Sequence, residues 1–419
     1  MLQLPEIQSL QTLTPDGRLL FATRMVRMFA YGFIAIVLGL YLTQVGFNDT
    51  QVGLVLSLTL LGDAAISLPI TIIADRLGRR RMLIVGAGLM VFAGVVFALT
   101  SNIVLLIVVA IVGTISPSGN EVGPFLAVEQ AALPQTTTDR QRTHVFAWYS
   151  LLGSVMTGLG SFGGGLLAQT LINGGQTPLN SYRVVIVGYA ILGVVLGVMF
   201  TRLSPAVEIQ AAPGPVSLQS LFGLQRSRGV VTRLSLLFMI DAFAGGLVVQ
   251  SLVAVWFNRR FGIDPAAIGA IYLGANFFAG LSALAAARVA ARYGLVKTMV
   301  FSHVPSNVLL ILVPLMPTLP LAILVLLARF SISQMDVPTR QSYTVAVVDP
   351  DERSAANGVT NIARTTAAAL SPVVTGALFS AGGLGFSAPF LLAGGLKLIY
   401  DYLLYRSFVT VKPPEEQGR

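Results

Sequence analysis

Two long apolar runs joined by a short basic turn constrain this chain more than any other feature. Residues 52–73 and 82–99 are mostly apolar, and the turn between them, residues 74–81, reads ADRLGRRR. A helix rises about 1.5 Å per residue, so each run is long enough to cross a hydrocarbon core about 30 Å thick. Basic turns between such helices lie mainly on the cytoplasmic side. We therefore expect two membrane-spanning helices with a cytoplasmic turn.

Composition extends this interpretation to the whole chain. Of 419 residues, 54% are hydrophobic and 11% are charged, whereas soluble proteins carry about 25% charged residues. The net charge of +9 is concentrated in short loops, which indicates membrane topology rather than nucleic-acid binding. The chain has no cysteine and two histidines. It therefore lacks the metal or nucleophile cluster of an enzyme, and we expect neither catalysis nor a cofactor.

The apolar runs predict twelve spans in two halves, with both termini in the cytoplasm. The predicted domains are a cytoplasmic tail at 1–20, a six-helix bundle at 21–201, a cytoplasmic linker at 202–230, a second six-helix bundle at 231–406 and a tail at 407–419. The predicted spans 1 to 12 are 21–45, 52–73, 82–100, 103–131, 144–171, 184–201, 231–257, 266–287, 298–316, 319–347, 355–380 and 387–406.

The two halves repeat weakly at nearly one spacing. The turn after span 8, residues 291–294, corresponds to residues 75–78, and residues 335–338 in span 10 correspond to 120–124 in span 4. Both matches lie roughly 215 positions apart, as expected for two structural repeats. We therefore expect two six-helix bundles related by a pseudo-two-fold axis along the membrane normal.

The basic turn resembles motif A, a loop signature of the major facilitator superfamily. Residues 75–80, DRLGRR, carry the resemblance; Gly62 matches the first upstream glycine of the motif and Thr71 replaces the second. The resemblance implies an all-α integral membrane fold of twelve helices in two pseudo-symmetric bundles. It also implies a cytoplasmic gate, the alternative being a solvated basic loop. The implied gate residues are Asp75, Arg76, Gly78, Arg79, Arg80 and Glu129.

Span 5 resembles motif C, the antiporter signature of the drug-efflux branch of that superfamily. It carries Gly160, Gly163, Gly164 and Gly165, with Ser161 in place of the motif's proline. Residues 103–131 contain no Arg or Lys, so the helix-4 arginine of that branch (motif B) and its proton-relay role are missing. The resemblance implies the bacterial drug/proton antiporter branch.

Charged residues at membrane depth are the candidates for proton coupling and substrate binding. Each costs about 2.5–3.5 kcal/mol at the centre of a span on insertion scales, so each is expected to have a partner or a purpose. In the superfamily's fold, spans 1, 4, 7 and 10 line a central cavity and spans 2, 5, 8 and 11 flank it. The candidates for proton coupling or the substrate cavity are Glu121, Asp241, Arg329, Asp336 and Arg340 in lining spans, and Asp63 and Arg364 in flanking spans.

Asp241 is the first candidate for proton coupling, and Asp63 is the second. Asp241 has apolar neighbours on both sides in the sequence. Burial disfavours the charged form of a carboxyl group, so such a group can take up and release a proton as access alternates. The alternative is a fixed salt bridge, with Arg364 or Arg329 as its partner.

Two pairs of opposite charges lie four residues apart, a spacing that permits an ion pair on one helix. Asp336 and Arg340 form either a structural latch or part of the cavity. Lys397 and Asp401, on the outer span 12, are expected to form a structural pair.

Residues 116–124, SPSGNEVGP, interrupt span 4. Proline removes a backbone hydrogen bond and clashes with the preceding turn, and the freed carbonyls must face protein or a water-filled cavity. We interpret the interruption as a kinked stretch beside the substrate path, with helix packing as the alternative. Asn120, Tyr31 and Tyr272 are weaker cavity candidates.

The predicted function is secondary active transport of small solutes by alternating access, with proton-coupled export of amphiphilic or charged compounds. The alternatives are a proton-coupled uptake permease for an organic anion and a passive facilitator. The chain has no Walker-type phosphate loop, so it does not hydrolyse ATP. The expected partners are a small-molecule substrate, protons and the lipid bilayer, without metal or nucleic acid. We expect a monomeric, multi-pass protein of the inner (plasma) membrane.

Overall fold

The structure, a computed structural model, describes residues 13–132, 142–208, 224, 226–349 and 352–411. Within these ranges the regular secondary structure is helical throughout. The α-helices are α1 (Pro15–Val45), α2 (Asp49–Leu77), α3 (Arg79–Leu99), α4 (Ile103–Val112), α5 (Phe125–Ala132), α6 (Arg142–Asn173), α7 (Pro178–Phe200), α8 (Arg228–Gly246), α9 (Gln250–Phe261), α10 (Pro265–Tyr293), α11 (Leu295–Leu312), α12 (Leu319–Ser333), α13 (Asp336–Ala346), α14 (Arg353–Ala381) and α15 (Ala388–Phe408).

Ten helical stretches within the described residues are long and apolar enough to cross a membrane. Two predicted spans are not among them. Span 4 is divided into α4 and α5, and span 12 is α15, in which Lys397 and Asp401 interrupt the apolar sequence. The protein is therefore a multi-pass, all-helical membrane protein, as its sequence predicts.

The chain divides into two compact units, each built from three stretches. Helices α2 and α10 each contribute to both units, and the chain passes from unit 2 to unit 1 between α8 and α9. This division differs from the bundles predicted at 21–201 and 231–406, which stay a prediction. Unit 1 comprises Met1–Asn48, Leu58–Pro213 and Gln250–Leu273, and unit 2 comprises Asp49–Ser57, Gly214–Val249 and Gly274–Arg419.

Helix α1 begins at Pro15, before the predicted start of span 1 at residue 21. Thr14 is the N-cap: its hydroxyl accepts the backbone N–H of Gly17 at 3.2 Å, and Pro15 suits the first helical position because it has no N–H to satisfy. The helix ends at Gly46, whose φ of 109° is readily adopted only by glycine. Local capping signals therefore set both ends.

The glycines of α6 allow its backbone to approach α1 closely. A methyl group at Gly160 would collide with the carbonyl of Phe29, and one at Gly164 would collide with the carbonyl of Phe33. From the other side, a methyl group on Gly32 would meet the carbonyl of Thr157. Small residues at such positions are a common basis of helix association in membranes. The glycine-rich sequence of span 5 therefore has a packing role within unit 1.

Spans 7 and 10 lie close to their predicted positions, and each is interrupted by a short non-helical turn. Span 10 breaks between α12 and α13 at Gln334, because the ring of Pro338 clashes with the carbonyl four residues earlier. Span 7 breaks after Gly246, where the freed carbonyl of Leu247 accepts the hydroxyl of Thr375 at 2.7 Å. Each of these two interruptions leaves backbone groups that neighbouring side chains must satisfy.

The core of unit 2 positions its charged side chains. Buried residues of α8, α11, α13 and α15 form one hydrophobic cluster. Phe238 and Tyr343 belong to this cluster, and each lies three residues from a charged group on the same helix face. The charged groups are Asp241 on α8 and Arg340 on α13.

Candidate functional site

Unit 1 contains a network of four ionised side chains and one tyrosine, which we call the unit 1 network. It consists of Arg24 and Arg27 on α1, Glu121 before α5, Glu129 on α5 and Tyr149 on α6. Arg27 binds Glu121 at 2.6 Å and both carboxylate oxygens of Glu129 at 2.6 and 2.7 Å. Arg24 binds the other oxygen of Glu121 at 2.7 Å. The hydroxyl of Tyr149 donates to Glu129.

The unit 1 network is electrically balanced and almost dry. Two cations face two carboxylates, and the side chains of Arg27 and Glu129 are both 0% exposed. The guanidinium of Arg24 also lies 4.1 Å from the centre of the Tyr149 ring and donates to the Tyr149 carbonyl at 2.8 Å. These bonds hold α1 against both α5 and the stretch that precedes it. Glu129 also accepts the hydroxyl of Thr23 at 3.4 Å, and its predicted role in a gate stays a prediction.

The interruption of span 4 is longer than predicted. Residues 113–124, between α4 and α5, are non-helical, and Gly119 and Gly123 have φ angles of 68° and 82°. We call this segment the break. Four other helices, α1, α6, α7 and α9, each contribute one side chain that donates a hydrogen bond to a carbonyl of the break. The bonds run from Tyr189 to Thr114 (2.6 Å), from Ser251 to Pro117 (2.8 Å), from Thr157 to Gly119 (3.4 Å) and from Tyr31 to Val122 (2.8 Å).

Asp63 on α2, a fifth helix, also contacts the break. A methyl group on the preceding residue, Gly62, would collide with the backbone of Ile111 at the end of α4, so α2 and α4 touch closely here. The Oδ1 atom of Asp63 accepts the backbone N–H of Gly123 at 2.5 Å and the hydroxyl of Ser67 at 3.3 Å. Within the described residues, Asp63 has no cationic partner.

Unit 2 contains a second network, the unit 2 network, centred on Asp241. Lys397 on α15 donates to its Oδ1 atom at 2.5 Å, and Arg340 on α13 donates to its Oδ2 atom at 3.1 Å. Arg340 also binds Asp336, four residues earlier on α13, at 3.0 Å. The Nε2 atom of His303 lies 3.8 Å from Oδ1 of Asp241. Asp241 is therefore held in salt bridges, but not with the predicted partners Arg364 and Arg329.

A layer of polar side chains backs the unit 2 network. The carboxylate of Asp401 accepts a hydrogen bond from Asn307 at 2.9 Å and is hydrogen-bonded to the Nδ1 atom of His303 at 2.8 Å. The predicted structural pair of Lys397 and Asp401 is wrong, because Lys397 points to Asp241 instead. Sequence reasoning also missed His303 as part of a site. The available signal was the pair His303 and Asn307, two polar residues four apart in an apolar span.

Two other predicted cations of unit 2 have different surroundings. Arg364 on α14 is half-buried, and its guanidinium makes no hydrogen bond or ion pair with the described residues. Asp241, Arg340 and Asp336 are nevertheless near enough to act on it electrostatically. Arg329 on α12 lies with its guanidinium 5.0 Å from the centre of the Phe330 ring.

The loop between α2 and α3, for which the sequence predicts a gate, is bonded to a residue that sequence reasoning missed. Gly78 has a φ of 102°, and the carboxylate of Glu208 accepts the backbone N–H groups of Arg79 and Arg80 at 2.6 and 3.1 Å. Glu208 therefore caps the N-terminus of α3, where an anion is favoured. Arg80 in turn donates to the carbonyl of Thr201. The side chains of Asp75 and Arg76 lie outside the described part of the structure.

The weaker cavity candidates differ in exposure. Tyr31 is fully buried and bonded to the break, and Tyr272 on α10 is 5% exposed. Asn120 is exposed within the break. Asn120 is therefore the one among these three whose side chain is open to a ligand.

A family model and a yeast protein match almost the whole chain. A family model described as Major Facilitator Superfamily matches residues 20–256 and 234–419. An uncharacterized membrane protein of Saccharomyces cerevisiae, YJR124C, is 29% identical and aligns over 94% of each chain.

Solved structures share the fold at low sequence identity. The nucleoside transporter NupG superposes with a TM-score of 0.72 at 15% identity, covering 94% of this chain and 99% of NupG. A bacterial homologue of the human lysosomal transporter Spinster gives 0.70 at 16% identity, covering 95% and 98%. The human organic anion transporter MFSD10 gives 0.62 at 16% identity, covering 93% and 100%. At these identities the likeness shows a shared fold.

Proposed function

This chain belongs to the major facilitator superfamily, and we propose on that premise that it is a proton-coupled exporter of small amphiphilic or charged compounds. Family membership makes it a transporter rather than an enzyme, and the predicted all-helical membrane fold of that superfamily is confirmed. The proton coupling, the export direction, the drug/proton antiporter branch and the mechanism of alternating access belong to our proposal.

The observation that carries the proposal is the pair of buried ion networks, one in each unit. Ionised side chains inside membrane-spanning helices are costly and commonly mark substrate or proton pathways. In unit 1 the first span supplies cations and the fourth supplies carboxylates; in unit 2 the seventh span supplies a carboxylate and the tenth supplies a cation. Purely structural helix contacts in lipid need only small and weakly polar residues. The two networks therefore favour a mechanism in which a proton or a charged substrate moves through the protein.

Export is supported by the glycine-rich sequence of α6, which resembles the antiporter signature. Its Gly160 and Gly164 lie directly against the α1 backbone, and α1 carries the two arginines of the unit 1 network. A change in this helix contact therefore acts on the ionised groups. We further propose a monomer in the plasma membrane with both termini in the cytoplasm, and the basic residues of the loop between α2 and α3 support this orientation.

Uptake of an organic anion is the second candidate, and Arg364 favours it. Its half-buried guanidinium has no hydrogen bond or ion pair with the described residues, and arginine is well suited to bind carboxylate or phosphate groups with two parallel bonds. The fold is shared with the human organic anion transporter MFSD10, which is consistent with this candidate.

Flux into sealed proteoliposomes tests the proposal and separates the alternatives. The probes are ethidium, an amphiphilic cation, and para-aminohippurate, an organic anion. Each probe is offered to vesicles with an acidic lumen, with an acidic exterior, and with either gradient collapsed by a protonophore.

Proton-coupled export predicts ethidium accumulation when the lumen is acidic and none after the gradient is collapsed. Accumulation of para-aminohippurate with an acidic exterior would instead support proton-coupled uptake. Equilibration that ignores the gradient would identify a passive facilitator and contradict proton coupling. Vesicles without protein provide the baseline for all three conditions.

A further inference from the structure

Asp63 lies in a different environment from the carboxyl groups of the two ion networks. Glu121 faces two arginines, Glu129 faces Arg27, and Asp241 faces Lys397 and an arginine. Asp63 has no cationic partner in the described residues. The two arginines of the unit 1 network are already balanced by two carboxylates, so a charge on Asp63 has no compensating cation among the described residues of unit 1.

The two oxygens of Asp63 have different roles. Oδ1 accepts both hydrogen bonds, from the N–H of Gly123 and from the hydroxyl of Ser67. Oδ2 accepts no hydrogen bond from the part of the chain that the structure describes, and the side chain is only half-buried. A proton from water can therefore bind Oδ2 without displacing an existing donor.

The titratable neighbours of Asp63 come from three directions. Glu121 in the break is a second carboxylate nearby, while α1 contributes Tyr31 and α7 contributes Tyr189. The two tyrosine hydroxyls already donate to carbonyls of the break. A nearby carboxylate disfavours a second negative charge, so the surroundings of Asp63 favour uptake of a proton.

The bond from Gly123 to Asp63 connects this proton to the protein conformation. Hydrogen bonds to an ionised acceptor are roughly twice as strong as neutral ones, so protonation weakens the hold on Gly123. Gly123 follows two residues after Glu121, whose carboxylate binds Arg24 and Arg27 of α1. A loosened break therefore alters the contact between the break and α1.

We propose that Asp63 is the residue at which unit 1 binds a proton, and that this proton releases Gly123 and frees the break to rearrange. The inference rests on the proposed proton-coupled function and identifies the residue that performs the coupling. It also assigns Asp241, the first candidate from the sequence, to holding the charged helices of unit 2 together.

Hydrogen exchange of the purified full chain, followed by mass spectrometry across a pH series, tests the proposal without a substrate. After correction for the intrinsic pH dependence of exchange, the peptide that covers the break exchanges faster at low pH in the wild type. In Asp63→Asn this pH dependence is lost, and in Asp63→Glu it is retained. Asp264→Asn, which changes an exposed carboxylate outside the network, behaves like the wild type.

Persistence of the pH dependence in Asp63→Asn would overturn the proposal and identify another titrating group. Dicyclohexylcarbodiimide, which modifies protonated carboxyl groups in apolar surroundings, supplies a second measurement on the wild type in case the variant does not fold. We expect a label on Asp63 that decreases as the pH rises, and a label on Glu121 instead would reject the assignment. Absence of gradient-driven flux in the wild type would contradict the proposed function alone, because hydrogen exchange and carbodiimide labelling are both measured without a gradient.

Discussion

Arg27 and Glu129 form a two-point ion pair inside unit 1, with N–O distances of 2.6 and 2.7 Å, and both side chains are completely buried. The pair joins α1 to α5 across 102 positions of sequence. A two-point pair fixes both the distance and the orientation of the two planar groups. It therefore sets the position of α5 relative to α1, next to the break that Asp63 contacts.

Removal of one partner of this pair is predicted to destabilise the protein strongly. Glu129→Gln leaves the buried guanidinium of Arg27 with one carboxylate, and breaking a buried pair costs about 3–5 kcal/mol. Thermal unfolding in detergent measures the effect as a lower midpoint. The double variant Arg27→Met with Glu129→Met removes both charges and is expected to unfold at a higher temperature than Glu129→Gln. Equal midpoints would show that the pair does not stabilise the fold as a unit.

Neutralising Asp241 is predicted to weaken folding in addition to any effect on transport. Asp241→Asn leaves Lys397 and Arg340 without the carboxylate that both contact, and each is a buried cation. The unfolding midpoint falls, and adding Lys397→Met restores part of it because one unpaired charge is removed. Asp264→Asn serves as the control for loss of an exposed carboxylate. No recovery in the double variant would mean that the salt bridge to Lys397 contributes little.

Arg364 is predicted to affect anion recognition without affecting stability. Arg364→Gln breaks no hydrogen bond or ion pair within the described residues, so the unfolding midpoint stays at the wild-type value. A lost charge-assisted hydrogen bond is worth about 1.5–3 kcal/mol, which corresponds to a ten- to hundredfold weaker affinity. Binding of para-aminohippurate measures the loss, and Arg233→Gln on the exposed side of α8 is the matched control. Unchanged binding would remove Arg364 from the anion site.

Glycine at position 160 is predicted to be essential for the contact between α1 and α6. Gly160→Ala places a methyl group against the Phe29 carbonyl, so the helices must separate and the unfolding midpoint falls. Gly88→Ala on α3 is the matched control, because a methyl group there meets no atom within 4 Å. Alanine favours a helix by up to about 1 kcal/mol over glycine, so this variant is expected to be as stable as the wild type or more so. Similar losses in both variants would contradict a specific backbone contact.

The sequence by itself determined the class of protein and the approximate positions of its membrane spans. Apolar runs of the length of a bilayer can only form membrane-spanning helices, because backbone groups in lipid must be satisfied within the segment. The proline and glycines at 116–124 likewise predicted the interruption of span 4. These features are local, since each depends on residues that are neighbours in the chain.

Only the tertiary structure decided which charges are partners. Lys397 pairs with Asp241, 156 positions away, rather than with Asp401 one helical turn away, because the packing of α15 on α8 turns that face toward Asp241. The same packing joins Asp401 to His303. Asp63 was ranked second from its sequence context, yet its lack of a cation became visible only once neighbouring helices were in place. Ion pairing depends on distances of a few ångströms between helices, and such distances are not encoded in the spacing of residues along one helix.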